Sequence, residues 1–372
     1  MTASRRLRWA LLCALLLAAL PAAALAQARG KRASPAQLVA LRRGVWKAIG
    51  ARSEQQIAKA VMKPVAGSKL SGARAKLLVA DEHGRRYMFK PTDLSTTWLD
   101  REHFAATLRR AAGEPTVPVV RQKVTLPTGE VLEGYVKPFL ANQGELAADP
   151  RRWSEAQRAV VMADHVWAEL LGNYDTKTDQ SIVVAPGVRG GPAAVNIDWD
   201  LSLADYVTNR PLTRYKAMNS APPSYNLLYN AYVHGKVDLD FAALYDAAAR
   251  AQRIPDAEVR RALAPFLAKA FAGGKTYGPY RAPEDLTRAV LARKANLAGD
   301  FERLVSGLEV ERADFAGHSG RWGGWRRLAL YARDGRMVGM GKLVQSSLFK
   351  RAMQVFRKFG GDLPPESSAY TH

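Results

Sequence analysis

Cysteine is almost missing from this chain. The one thiol among its 372 residues, Cys13, falls within the first 26. That stretch reads as a signal peptide. Arg5, Arg6 and Arg8 form a positive start, residues 9–20 are rich in Leu and Ala, and Ala24-Leu25-Ala26 supplies a small-x-small cleavage site. Once it is removed, the chain has no disulfide, no thiolate metal ligand and no cysteine nucleophile. No later run is apolar enough to span a bilayer. Internal repeats and low-complexity tracts are also lacking. The expectation is a secreted or periplasmic protein held together by core packing alone, with a bacterial periplasm or exterior a better fit than eukaryotic secretion.

Acidic residues are the other shortage. Lys and Arg number 55 against 34 Asp and Glu, a net charge of +21. Setting aside the three signal arginines leaves 52 basic against 34 acidic residues, a net of +18. Such a field favours an anionic partner: a nucleotide, an anionic lipid, a phosphorylated glycan or nucleic acid. No nucleic-acid recognition motif is present, so specific nucleic-acid binding is not expected.

Apolar residues make up 48% of the chain, enough for a substantial core in one large domain or two lobes. Residues 27–59 read as a polar leader followed by two short helices, one opening at Ser34-Pro35 and one at Ser53. Over 60–140 the period shortens. Strands are predicted at 76–80, 86–90, 117–126 and 131–136, with a helix over 99–112 that stops at Gly113. This is a small, mostly antiparallel sheet with one helix. Over 141–310 the pattern is helical: 152–171, then 240–252, 256–272 and 282–305, with two short strands at 181–184 and 193–197. Residues 311–372 form a basic C-terminal extension. Within it, 347–359 is a cationic amphipathic helix that either docks on the body or meets an anionic membrane surface.

The chemistry gathers in two turns. Gly172-Asn173-Tyr174-Asp175-Thr176-Lys177 follows an apolar helix, with Gln180 three residues further on. Asp175 can orient a hydroxyl nucleophile, Lys177 can neutralise charge growing on a transferring phosphate, and the Gln180 carboxamide can coordinate Mg²⁺. Read alone, the turn is equally a capping arrangement without chemistry. Asp198 ends the apolar strand 193–197 and can hold a metal that bridges phosphates; Asp200 reads better as a solvated or capping carboxylate. Lys90 closes the strand Tyr87-Met88-Phe89 and needs a partner in that apolar setting; Glu102, in the next helix, can supply it. Before the first strand lies Gly67-Ser68-Lys69-Leu70-Ser71-Gly72, in which Gly67, Ser68, Ser71 and Gly72 can bring backbone N–H groups to phosphate oxygens, although this is not a Walker A sequence. The main chain of 131–140, between the two regions, can hydrogen-bond an adenine ring.

At these residues, over roughly 60–300, the chain resembles the atypical branch of the protein kinase-like superfamily, with HipA-type kinases and phosphatidylinositol 3-/4-kinases nearest in pattern. The resemblance rests on the Gly67 to Gly72 loop, Lys90-Pro91, more loosely Glu102, the Gly172-Asn173-Tyr174-Asp175 turn and Ile197-Asp198. It implies an α+β, bilobal fold with a small antiparallel-sheet N-lobe and a larger helical C-lobe. It also implies ATP with Mg²⁺ or Mn²⁺ as cofactors, and a hydroxyl-bearing acceptor. Gln180 stands where an asparagine is usual, with Asp179 an alternative ligand. Thr176-Lys177 is similar to the loop of ordinary protein kinases. The resemblance does not select among protein, lipid, glycan and small-molecule acceptors; a protein Ser/Thr is favoured by a small margin. No Asp-Phe-Gly segment is present. A catalytically inactive kinase fold and a nucleotidyl transferase on the same fold are the alternatives. Export sets a condition, because ATP is scarce outside the cytoplasm. The enzyme would act after delivery elsewhere, hold its nucleotide tightly, or use another phosphate donor.

Overall fold

The computed structural model describes residues 33–50, 53–66, 76–92, 97–173, 175–184, 191–208 and 223–316. The loop at 67–72, the signal segment and the helix expected at 347–359 lie outside them. Two helices come first. Helix α1 (Pro35–Ile49) and helix α2 (Glu54–Lys59) each begin with a serine, Ser34 and Ser53, whose side chain accepts from the glutamine three residues on while that glutamine reaches back. This reciprocal capping satisfies amide groups that a helix start leaves free.

A five-stranded antiparallel sheet follows, in the order β1-β2-β3-β5-β4. Its strands are β1 (Lys63–Pro64), β2 (Leu77–Ala80), β3 (Arg86–Pro91), β4 (Val120–Thr125) and β5 (Val131–Pro138). Helix α3 (Trp98–Ala111) lies between β3 and β4 in the chain. Strand alternation gives the sheet two faces. Val79, Tyr87, Phe89, Val124 and Val136 pack with Ile57 of α2 in one buried cluster. The opposite face carries Lys90, Tyr135 and Lys137, which meet the buried side of α3. There Leu99, Ala106, Val119 and Tyr135 form a smaller apolar cluster.

The remainder is helical apart from one hairpin-like pair. Helix α4 (Glu155–Leu171) is capped by Ser154 and Gln157, and the residues before it form a tight turn, Pro150–Arg152, rather than the extra helical turn expected from the sequence. Residues 161–171 are buried all round, beyond the single apolar stripe that the spacing suggests. The reason is that α4 is the central element. It packs against β7 (Ala193–Asn196), helix α6 (Ser224–Val233), helix α7 (Ala242–Arg253) and helix α9 (Pro283–Ala316). Helix α5 (Ala204–Thr208) and helix α8 (Asp256–Ala270) complete the lobe. The sequence reading did not anticipate α5 or α6. Strand β6 (Ser181–Val184) pairs with β7 antiparallel, Ser181 opposite Asn196. The fold is the α+β arrangement of a curled antiparallel sheet lobe and a larger helical lobe that the resemblance implied. Among the described residues, no helix is long and apolar enough to cross a membrane.

Ion pairs, buried or half-buried, bind the parts together. Arg109 of α3 donates to Asp164 of α4 at 2.5 Å, both side chains being almost fully buried. Lys269 of α8 donates to Asp100 of α3 at 2.9 Å. Arg42 of α1 pairs with Asp246 of α7, and Arg250 joins Asp246 and Glu114. Burial pushes the Asp164 carboxyl up from its usual 3.8 to about 6, and the Arg109 guanidinium offsets this only in part. A carboxyl raised on folding holds its proton more tightly in the folded chain, so stability falls as pH rises from about 4 to 6. The expected size is on the order of 3 kcal/mol. Urea unfolding across this range should show the decline in the parent chain and its loss in Asp164→Asn; an unchanged slope would remove Asp164 as its source.

Candidate active site

Lys90 reaches the site from the penultimate position of β3. Its side chain is 3% exposed, and its ammonium lies 3.0 Å from Glu102 Oε2, 3.6 Å from Asp198 Oδ1 and 4.0 Å from Asp200 Oδ2. The Trp98 ring stands 5.4 Å from the same ammonium. The expected Lys90–Glu102 pair is therefore formed, and Asp198 is brought to it. Asp200 differs from expectation: its side chain is 13% exposed and faces Lys90 rather than open solvent.

Glu102 has a second partner that the sequence reading missed. Lys137 of β5 donates to Glu102 Oε1 and, at 2.6 Å, to the carbonyl of Ile197. A signal for it was present. Strands β3 and β5 end alike, in Phe89-Lys90-Pro91 and Val136-Lys137-Pro138. Each lysine sits at a strand end in an apolar frame. Burial alone would raise the Glu102 carboxyl, but Lys137 and Lys90 outweigh it and hold the group at about 2, below its usual 4.5. Burial lowers the Lys90 ammonium, yet Glu102, Asp198 and Asp200 together raise it above its ordinary value. For Lys137 burial prevails, helped by the Lys90 charge, and its ammonium is lowered.

The second turn is delivered by the end of α4. Gly172 adopts left-handed backbone (φ 63°), and a Cβ there would come within 2.7 Å of the Tyr206 ring, so glycine fits both the turn and the packing. The Asn173 side-chain oxygen then accepts from the Asp175 amide at 3.2 Å. Asp175 is buried; its Oδ1 lies 3.3 Å from Lys177 Nζ, and its Oδ2 accepts from Gln180 Nε2 at 2.9 Å. Gln180 sits in the tight turn Thr178–Gln180 that opens β6, and its carbonyl accepts from the Ile197 amide at 2.9 Å. Pairing of β6 with β7 thus seats Gln180 beside the strand end that carries Asp198. Asp179 lies in the same turn. The loop after Asp198 folds back onto the end of α4: Leu203 N donates to Leu171 O, and Asp205 N donates to Gly172 O at 3.0 Å. Gly67, Ser68, Ser71 and Gly72 lie outside the described residues.

Two oxygens suit a hard cation. Gln180 Oε1 and Asp198 Oδ1 are buried and accept no hydrogen bond. Among the described residues, no three His, Cys, Asp or Glu side chains converge as a ready-made cage. A cation with one or two protein ligands and the rest from phosphates and water matches this donor set.

No protein-family model matches the chain, and no curated protein sequence matches it. Among solved structures it is similar to "the golgi casein kinase", at 11% identity over 65% of this chain and 73% of that one, with a TM-score of 0.37. The same kinase "with Mn/ADP bound" gives 10% identity over 65% and 74%, also at 0.37. The Helicobacter pylori proinflammatory kinase CtkA gives 13% identity over 71% of this chain and 98% of that one, at 0.39. At these scores the likenesses carry no part of the functional argument, which rests on the side chains.

Because the Glu102 carboxyl is depressed on folding, the stability it contributes is fully present above about pH 4.5 and is lost as pH falls toward about 2. The expected loss is on the order of 3 kcal/mol. In Glu102→Gln this acid-side slope should disappear. At neutral pH the same variant should be less stable by about 3–5 kcal/mol, because two buried ammonium groups lose their shared carboxylate. Urea titrations at stepped pH measure both, and a retained acid slope would assign it to another group.

Proposed function

We propose that this chain is an ATP- and divalent-metal-dependent phosphotransferase that passes the γ-phosphoryl group to a hydroxyl acceptor. One observation carries the proposal: Lys90 lies in ion-pair reach of both Glu102 and Asp198, and the segment just past β7 that leads into Asp198 is bonded through the Ile197 amide to the turn that holds Asp175, Lys177 and Gln180. Lys90, oriented by Glu102, holds nucleotide phosphates. Asp198 and Gln180 hold the cation, which when bound neutralises charge on the phosphates. Asp175 orients the acceptor hydroxyl and takes its proton while the bond from phosphorus to the ADP oxygen breaks and a bond to the acceptor oxygen forms. Lys177, across the turn, offsets the charge on the moving phosphoryl group. The acceptor favoured, by a small margin, is a protein Ser or Thr. The setting is a secreted or periplasmic one, reached through the segment at 1–26. An anionic membrane surface is a further partner through 347–359.

One observation favours the inactive alternative. Both Asp175 oxygens are already engaged, Oδ1 by Lys177 and Oδ2 by Gln180. Each carboxylate oxygen has a second lone pair, so engagement orients the group without closing it to a hydroxyl.

Asp198→Ala should abolish the metal dependence of ATP binding, read as the shift in melting temperature with ATP at rising Mg²⁺ or Mn²⁺, while the chain stays folded. An undiminished shift would take Asp198 out of the metal site. Asp175→Ala should lower turnover by at least about 100-fold with little change in nucleotide affinity, as for loss of a contact made in the transition state. Mass spectrometry of the chain and candidate acceptors after incubation with ATP and metal reads turnover directly. Added phosphoryl mass supports phosphotransfer, added adenylyl mass would replace it with nucleotidyl transfer, and turnover equal to the parent in the variant would remove Asp175 from the mechanism.

A further inference from the structure

The Asp198 amide donates to Asn196 Oδ1 at 2.9 Å, and the rest of what fixes the residue acts through its neighbours. Its side chain is 33% exposed and its Oδ1 accepts no hydrogen bond, although Lys90 stands 3.6 Å away. The residue before it is gripped at both backbone groups: the Ile197 carbonyl accepts from Lys137 Nζ at 2.6 Å, and the Ile197 amide donates to Gln180 O at 2.9 Å. The residue after it is gripped by its ring: Trp199 is buried, and the Arg109 guanidinium lies 4.2 Å from its centroid. The Trp199 carbonyl accepts from the Ser202 amide at 3.0 Å and the Ser202 hydroxyl at 2.7 Å.

Both cations lead back to one helix. Lys137 is bonded to Glu102 of α3, and Arg109 belongs to α3 itself. Glu102 and Arg109 are seven residues apart, close to two helical turns, so they share a face. Stability alone does not account for either cation. Replacing a whole buried ion pair by apolar residues of similar volume is often neutral or stabilising, and the Arg109 Nε and Nη1 find no hydrogen-bond partner.

We propose that Lys137 and Arg109 are positioning residues for Asp198. Arg109 from α3, and Lys137 from β5 held by Glu102 on the same face of α3, clamp the chain on either side of Asp198, so that Lys90, Glu102 and Asp198 are placed as one unit. The clamp is a statement about geometry; its bearing on cation binding rests on the function proposed above.

Hydrogen–deuterium exchange of the amides of 196–203 tests the clamp whether or not the chain binds nucleotide. Four variants of the full chain are compared: Lys137→Met, Lys137→Arg, Arg109→Met and Tyr135→Phe. The last removes the 2.8 Å hydrogen bond from Tyr135 to Asp100 in the same interface without touching 197–199. Lys137→Met should speed exchange at Ile197 and Asp198 at least about tenfold, Lys137→Arg should restore it, and Tyr135→Phe should leave it unchanged. In a second measurement, the Mn²⁺ concentration for half-maximal ATP binding should rise about 10-fold or more in Lys137→Met, with binding at saturating metal within about twofold of the parent, as for loss of a group that orients a ligand. Unchanged exchange in Lys137→Met overturns the proposal, as does equal loosening in Tyr135→Phe. If Arg109→Met does not fold, Lys137→Met and its arginine rescue decide. Faster exchange in a chain whose parent shows no metal-dependent ATP binding would uphold the clamp and sink the nucleotide reading.

Discussion

A carboxylate sealed from water between two ammonium groups organises this protein. Glu102 is 1% exposed and meets Lys90 on one oxygen and Lys137 on the other. An ionised carboxylate transferred alone into such surroundings would be strongly destabilising, and it would take up a proton instead. Here the opposite holds, and the group stays charged well into acid. Stability by itself does not explain the arrangement, since well-packed apolar residues of the same volume are often as good or better. The pairing does fix, within a hydrogen bond, where the tips of two strands stand relative to one helix. Lys90 is thereby aimed at the loop that carries Asp198 and Asp200.

The helix that bears Glu102 is held by apolar packing of Phe104, Ala105 and Leu108 into the main core and by polar latches toward the sheet and its neighbours. The apolar cluster on its sheet side is small, comprising Leu99, Ala106, Val119 and Tyr135. Around it stand Tyr135–Asp100, Lys269–Asp100, Arg109–Asp164 and the two lysines on Glu102. An apolar interface can slide by small steps because contacts are exchanged for similar contacts. A set of buried ion pairs cannot: any displacement of α3 separates several opposite charges at once. The helix therefore has one strongly preferred seat, and movement away from it is a discrete event. Asp164 adds a pH dependence to that seat through the same helix.

The sequence revealed what periodicity and isolated charge can reveal. Lys90 stood out because a lysine at an apolar strand end demands a partner, and Glu102 lay within reach on the next amphipathic helix. The long apolar helix ending in Gly172 located the Asp175 turn, and the strand ending at Ile197 located Asp198. Lys137 escaped because it was read as part of the chain joining two lobes, where a polar residue needs no explanation. Its burial comes from α3 and from the 197 carbonyl, partners 35 and 60 residues away, which no local pattern encodes. Arg109 escaped for a similar reason. It stands beside Arg110 in a strongly basic chain, and only packing separates the two: Arg109 is buried against Trp199 and Asp164, while Arg110 pairs with Glu54 nearer the surface. Helix α6 follows Pro222-Pro223, which as sequence signals a break rather than a helix start, although proline is well suited to the first positions of a helix.

Charge counted inside the cleft gives a different answer from charge counted over the chain. The whole sequence carries +21, which draws anions toward the molecule over a Debye length but is screened beyond it. At the cluster itself, Lys90 and Lys137 face Glu102, Asp198 and Asp200, two positive groups against three negative ones. Asp175 and Lys177 cancel each other. A polyphosphate arriving at this cluster would thus meet no surplus of positive charge, and Lys90 could not turn toward it without weakening its hold on the carboxylates. Under the proposed function, a divalent cation held by Asp198 would reverse the balance: it would satisfy that carboxylate, release part of the demand on Lys90, and supply positive charge for the phosphates. On the proposed reading, then, the cation does more than assist transfer: it is what makes the cleft receptive to a nucleotide, and cation and nucleotide should bind with strong mutual dependence.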